Sequence, residues 1–140
     1  MVKYSIIRKH EIQAAHRVYG HKGKCSNFHG HSYVFQIYCS SEKLDDLGMV
    51  VDFDIIRTTF CQWIDDNYDH RMILWDKDPI AQDVLAIDPT TMLVPYNPTL
   101  ENMAEYLLTQ IAPQLLNKHG IVVDKIVIDE SSKCSASCEL

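Results

Sequence analysis

Over residues 3–17, Tyr4, Ile6, Ile12 and Ala14 alternate with polar or oppositely facing positions, which predicts a half-buried β-strand. Residues 18–28 break the alternation with Gly20, Lys22, Gly23, Lys24, Ser26 and Asn27, and predict a loop. Residues 29–41 predict a second strand, in which Tyr33, Val34, Phe35, Ile37 and Tyr38 supply β-propensity. Asp45-Asp46-Leu47-Gly48 predicts a turn, and Met49-Val50-Val51 a short extension beyond it.

The spacing then changes to three and four. Ile55, Ile56, Phe60, Trp63 and Ile64 form one stripe of a helix that starts near Asp52 or Asp54, either able to cap it, and ends around Asn67. Pro79, Pro89, Pro95 and Pro98 exclude a long element from 71–98, where short extended pieces are expected near 84–87 and 92–94. Asn97-Pro98-Thr99 offers a capping residue and a first-turn proline. Leu100, Met103, Ala104, Leu107, Leu108, Ile111, Leu115 and Leu116 continue as a helical stripe, with a kink expected at Pro113 and a stop at Gly120. Residues 121–130 predict a last strand. The order β–β–α–α–β predicts an α+β domain over 1–140, an antiparallel sheet with two helices on one face.

Composition narrows the class. Of 140 residues, 46% are hydrophobic and 23% charged, as in ordinary globular chains, and no apolar run reaches the ~18 residues of a membrane span. The first residues lack a signal-peptide core, so a cytoplasmic protein is expected. A net charge of −6 argues against nucleic acid as the main partner. Five cysteines without a secretory signal predict reduced thiols, with Cys39 and Cys61 as inert core residues.

His29-Gly30-His31 carries the chemistry. Residues i and i+2 of a strand point to one side, and Gly30 leaves the other side uncrowded. His16 ends the preceding strand, and the 18–28 loop is long enough to return beside it. Three neutral imidazoles suit zinc and leave a fourth position open. The pattern alone is also compatible with a chance His-X-His; the third histidine at the matching strand end favours a metal site. His10, His21 and His119 read as surface or loop residues. Cys25, beside Lys22 and Lys24, can serve as base or nucleophile, or be a loop thiol without a role. Asp69-His70 pairs a carboxylate with an imidazole, and Glu130 places a carboxylate at the end of the last strand.

Ala14-Ala15-His16, Cys25-Ser26-Asn27-Phe28-His29-Gly30-His31-Ser32, Val51-Asp52-Phe53, Tyr68-Asp69-His70-Arg71, Asn97-Pro98-Thr99-Leu100-Glu101-Asn102 and Glu130-Ser131-Ser132 occur in a fixed order. Together they resemble the 6-pyruvoyl-tetrahydropterin synthase family, over about residues 3–138. Cys25, separated by three residues from His29-Gly30-His31, and the tail Lys133-Cys134-Ser135-Ala136-Ser137-Cys138, are most similar to its queuosine-pathway branch, 6-carboxy-tetrahydropterin synthase. The biopterin branch has a longer gap there, and a third branch has glutamate in place of the cysteine.

The resemblance implies the tunnelling fold, with subunit barrels stacked into a homohexamer and active sites between subunits. It implies zinc on His16, His29 and His31, Cys25 as general base, Asp69 and His70 as its relay, and Glu130 as anchor of the pterin ring. Thr99 and Glu101 would also contact substrate, and Lys22 and Lys24, with His21, would hold its triphosphate. The implied substrate is 7,8-dihydroneopterin triphosphate. The alternatives are a 6-pyruvoyl-tetrahydropterin synthase that stops after triphosphate elimination, or a non-catalytic zinc- or pterin-binding protein.

Overall fold

The computed structural model describes residues 2–140. Strand β1 (Tyr4–His16) and strand β2 (His29–Ser41) pair antiparallel along their whole length, from Tyr4 opposite Ser41 to His16 opposite His29. Alternation sets their faces. Ile12 and Ala14 of β1 and Tyr33, Phe35, Ile37 and Cys39 of β2 are buried on the inner face, while Gln13 and Ser32 are exposed on the outer one. Burial pushes the Cys39 thiol up to about 12, as suits an inert core residue.

Helix α1 (53–67) is capped by Asp52, whose side chain accepts a hydrogen bond from the Asp54 N–H. It buries Ile56, Phe60, Cys61 and Ile64 against the inner face. His10 is tied to this helix: its Nε2 lies 2.6 Å from Asp65 Oδ1 and its side chain is half-buried, so it is not the free surface residue that the sequence suggested. Two short strands follow, β3 (Met72–Trp75) and β4 (Met92–Val94), separated by helix α2 (Ala81–Ile87). The extended piece expected at 84–87 is therefore the end of a helix. A run of four apolar residues has no period of its own to separate the two conformations.

Helix α3 (100–116) is capped by Thr99, which accepts from Asn102 N–H, so the cap lies two residues later than Asn97 and Pro98 precedes the first turn. Its middle, Leu107–Ile111, is a π-turn in which the Ala112 N–H reaches back to the Leu107 carbonyl. This turn directly precedes Pro113. A proline has no N–H to donate and crowds the carbonyl four residues back, and the wider turn accommodates it. Gly120, in the left-handed region at φ 70°, ends the following 3₁₀ turn.

Strand β5 (Val123–Asp129) pairs with β2, and strand β6 (Ser135–Glu139) with β5, both antiparallel. Strands β3 and β4 join the other edge in parallel, β3 on β1 and β4 on β3. The sheet is thus six-stranded and mixed, in the order β4-β3-β1-β2-β5-β6. It contains the antiparallel sheet expected from the sequence and extends it by strands of three to five residues at both edges. Helices α1 and α3 share one core cluster with its inner face. Among the described residues no helix is long and apolar enough to cross a membrane.

Candidate metal and pterin site

The site grows from the end of the β1–β2 pair. Inner-face alternation carries past Tyr33 to His31 and His29 on β2, and past Ala14 to His16 on β1. His16 stands directly opposite His29, and His31 opposite Ala14. Each imidazole offers one ring nitrogen such that the three lie within 4.8 Å of one another, and the ring centroids are 4.5, 5.2 and 4.9 Å apart. The core face of the sheet therefore becomes a cluster of three histidines at its end.

Backbone carbonyls orient two of the rings. His16 Nδ1 donates to the Pro98 carbonyl at 2.7 Å, and His29 Nδ1 donates to the Asn27 carbonyl at 2.7 Å. Donation from Nδ1 leaves Nε2 as a lone-pair donor turned to the cluster. His16 Nε2 and His31 Nε2 are buried without a hydrogen-bond partner. Burial lowers the His16 pKa to about 4, against the Pro98 carbonyl and with help from His29 and His31. Burial also lowers His31, opposed by the Glu130 carboxylate. Converging ring nitrogens, two of them buried without a partner, are what a bound cation needs, so His16, His29 and His31 could hold a metal ion.

Gly30 has a steric reason. A Cβ at Gly30 would stand 3.2 Å from the Ala14 carbonyl oxygen, tighter than ordinary contact. Glycine lets β1 and β2 close up where the histidines meet.

Cys25 is exposed, in a 3₁₀ turn at Lys24–Ser26, and lines one hollow with Lys24, Phe28, His29, His31 and Glu130. Glu130 follows β5, its N–H held by the Cys134 carbonyl at 3.1 Å, and its Oε2 lies 3.5 Å from His31 Nε2. Asp69 and His70 are hydrogen-bonded to each other, Nδ1 to Oδ1 at 2.9 Å, although they are adjacent in sequence. The chain manages this by placing His70 at φ 58°, where its N–H reaches the Gln13 carbonyl at 2.6 Å and Asp69 accepts from Gln13 N–H. His70 lines a separate hollow of about 570 Å³, with Arg71 and Asp88, and this hollow meets the Cys25 hollow at Gly30 and His31.

The remaining expected contacts lie outside these hollows. Lys22 and His21 are exposed on the loop, and the His21 ring accepts from the Gly23 N–H. Thr99 is engaged as the α3 cap, and Glu101 is exposed on the first turn of that helix. Sequence reasoning missed what the 97–102 segment does inside this chain. Asn97 exchanges two hydrogen bonds with the Tyr19 backbone, Asn102 donates to the Asn97 carbonyl, and the Pro98 carbonyl orients His16. It also missed Tyr33, fully buried beneath His16 and His31 with an unpartnered hydroxyl.

Comparison with known proteins shows the family. Residues 5–140 match the family model described as 6-pyruvoyl tetrahydropterin synthase. The 6-carboxy-5,6,7,8-tetrahydropterin synthase of Rickettsia felis is 37% identical over 129 residues, covering 91% of this chain and 94% of the relative. That of Rickettsia bellii is 39% identical over 131 residues, with the same coverage. The structure of Caenorhabditis elegans 6-pyruvoyl tetrahydropterin synthase superposes with a TM-score of 0.71 at 26% identity, covering 100% of this chain and 97% of that one. The chain belongs to the 6-pyruvoyl tetrahydropterin synthase family and is a lyase-type enzyme.

Proposed function

We propose that this enzyme converts 7,8-dihydroneopterin triphosphate and water to 6-carboxy-5,6,7,8-tetrahydropterin, triphosphate and acetaldehyde, a step of queuosine-type 7-deazapurine synthesis. The observation that carries the reading is the convergence of three imidazoles, one ring nitrogen of each within 4.8 Å of the others, beside a hollow that also presents Cys25 and Glu130. The choice of branch is supported by relatives of that name at 37 and 39% identity and by the three-residue gap between Cys25 and His29. The atoms balance when the first side-chain carbon stays on the ring as the carboxyl group and the other two leave as acetaldehyde.

Zinc is the metal we assign to His16, His29 and His31; when bound it supplies Lewis-acid polarisation of the side-chain oxygens. The chain's own residues do the rest. Glu130 accepts two hydrogen bonds from the pterin edge and fixes the ring. The Cys25 thiolate takes a proton from the side chain, and His70, oriented by Asp69, moves a second. Lys22 and Lys24, with His21, hold the triphosphate. Thr99 and Glu101 contact substrate from a neighbouring subunit of a closed homo-oligomer, a hexamer on the family's pattern. As the outer strands of the sheet, β4 and β6 give such an oligomer edges to pair.

Incubation with 7,8-dihydroneopterin triphosphate and mass spectrometry of the products tests the reading. 6-Carboxy-tetrahydropterin with acetaldehyde is expected. A 6-pyruvoyl product without acetaldehyde moves the enzyme to the biopterin-type branch, and unchanged substrate overturns the proposal.

A further inference from the structure

The 17–28 loop carries Cys25 but has little core of its own, since Tyr19, Gly20, His21, Lys22, Gly23, Lys24 and Cys25 are all exposed. A loop of this kind opens locally unless something ties it down. One side chain gathers its two ends. Arg17, directly after His16, donates from Nε to Asp78 Oδ2 at 2.6 Å and from a terminal nitrogen to Asp78 Oδ1 at 2.7 Å. The Asp78 side chain is 1% exposed, and the Ile80 N–H also donates to it. Burial would raise the Asp78 pKa, but these hydrogen bonds and the Arg17 charge outweigh it and hold the carboxyl below its ordinary value.

The guanidinium so fixed lies 5.7 Å from the Tyr19 ring and 5.8 Å from the Phe28 ring, one at each end of the loop. Between them the Val18 N–H donates to the carbonyl of Cys25 itself at 2.7 Å. Three links therefore run in series: Asp78 fixes Arg17, Arg17 gathers Tyr19 and Phe28, and the closed loop seats Cys25 against Val18.

We propose that Arg17 and Asp78 are positioning residues for Cys25, a clasp that holds the base-bearing loop over the histidine cluster. The function of the clasp rests on the reading of Cys25 as the base; its structural action does not. Lysine cannot replace arginine here, because an ammonium has neither the two-pronged donor geometry nor the planar face.

The test compares wild type with Arg17→Lys and with the double variant Arg17→Gln/Asp78→Asn. The double variant leaves no unpaired buried charge, so it folds where Arg17→Gln alone would strand Asp78. Limited trypsin digestion reads the loop directly through Lys22 and Lys24, with exposed Lys118, in the 3₁₀ turn after α3, as internal reference. Cleavage at Lys22 and Lys24 is expected to rise about tenfold relative to Lys118 in both variants. Zinc content stays near wild type; kcat at saturating substrate falls about 10–100-fold, the scale of a misplaced reacting group, while KM rises because Lys22 and Lys24 ride on the same loop. Unchanged cleavage at Lys22 and Lys24 overturns the clasp, and so does equal acceleration at Lys118, which would mean a general loss of stability. A looser loop with unchanged kcat overturns the positioning role. If Cys25→Ala is itself fully active, the base assignment fails while the trypsin result still decides the clasp.

Discussion

Glu130→Gln separates a pterin site from a generic metal site. The structure fixes the side chain's origin: β5 ends at Asp129, the Glu130 N–H is held by the Cys134 carbonyl at 3.1 Å, and the carboxylate lines the hollow shared by Cys25, His29 and His31. A pterin presents a ring N–H beside an exocyclic amine, and a carboxylate accepts from both. Glutamine keeps the size but turns one acceptor into a donor, which then faces an N–H. Two donors left without acceptors cost about 1–3 kcal/mol, so affinity should fall about tenfold to a hundredfold. Glu130 Oε2 stands 3.5 Å from His31 Nε2 but is outside the histidine cluster, so metal content should not change. Calorimetric titration with sepiapterin or biopterin, with metal analysis on the same samples, provides the assay. Equal pterin affinity for wild type and Glu130→Gln would refute the anchor role.

Two further predictions concern Cys25 and His16. Cys25→Ala should retain metal and fold while turnover falls by about 10²-fold or more, as for loss of a general base; near-normal steady-state rates would make the thiol a bystander. In metal-free protein, His16 titrates at about 4 when folded and near 6.5 when unfolded, so only the unfolded state takes up the proton in between. Stability is thus fully present above about pH 6.5 and is lost as pH falls towards 4, by about 3 kcal/mol from this group. Urea denaturation of metal-free wild type and His16→Gln across that window should show a steeper loss for wild type, and parallel curves would contradict the buried neutral imidazole.

The legible parts of the fold are those with a sustained period. Alternation over thirteen residues placed β1 and β2 closely, and the three-four stripes of α1 and α3 located both helices. Alternation also puts His29 and His31 on one face of β2, and the β1–β2 register then sets His16 opposite His29. Of the short outer elements, β3 and β6 were not legible. Strand β6 is built from Ser135, Ala136, Ser137, Cys138 and Glu139, small or polar residues of low β-propensity that pair because β5 offers an open edge. Strand β3 has four residues, too few for a period to show, whereas β4 is the extended piece expected at 92–94. The supports of the site were hidden for another reason. The carbonyl of Pro98 is 82 residues from His16 in sequence, and Asp78 is 61 from Arg17, so only the folded chain brings them together.

Metal analysis of the purified chain tests whether His16, His29 and His31 form one metal centre. One zinc per chain is expected in wild type, with most of it lost in His29→Ala and none lost in Cys25→Ala or Glu130→Gln. Full retention of zinc by His29→Ala would contradict a single centre.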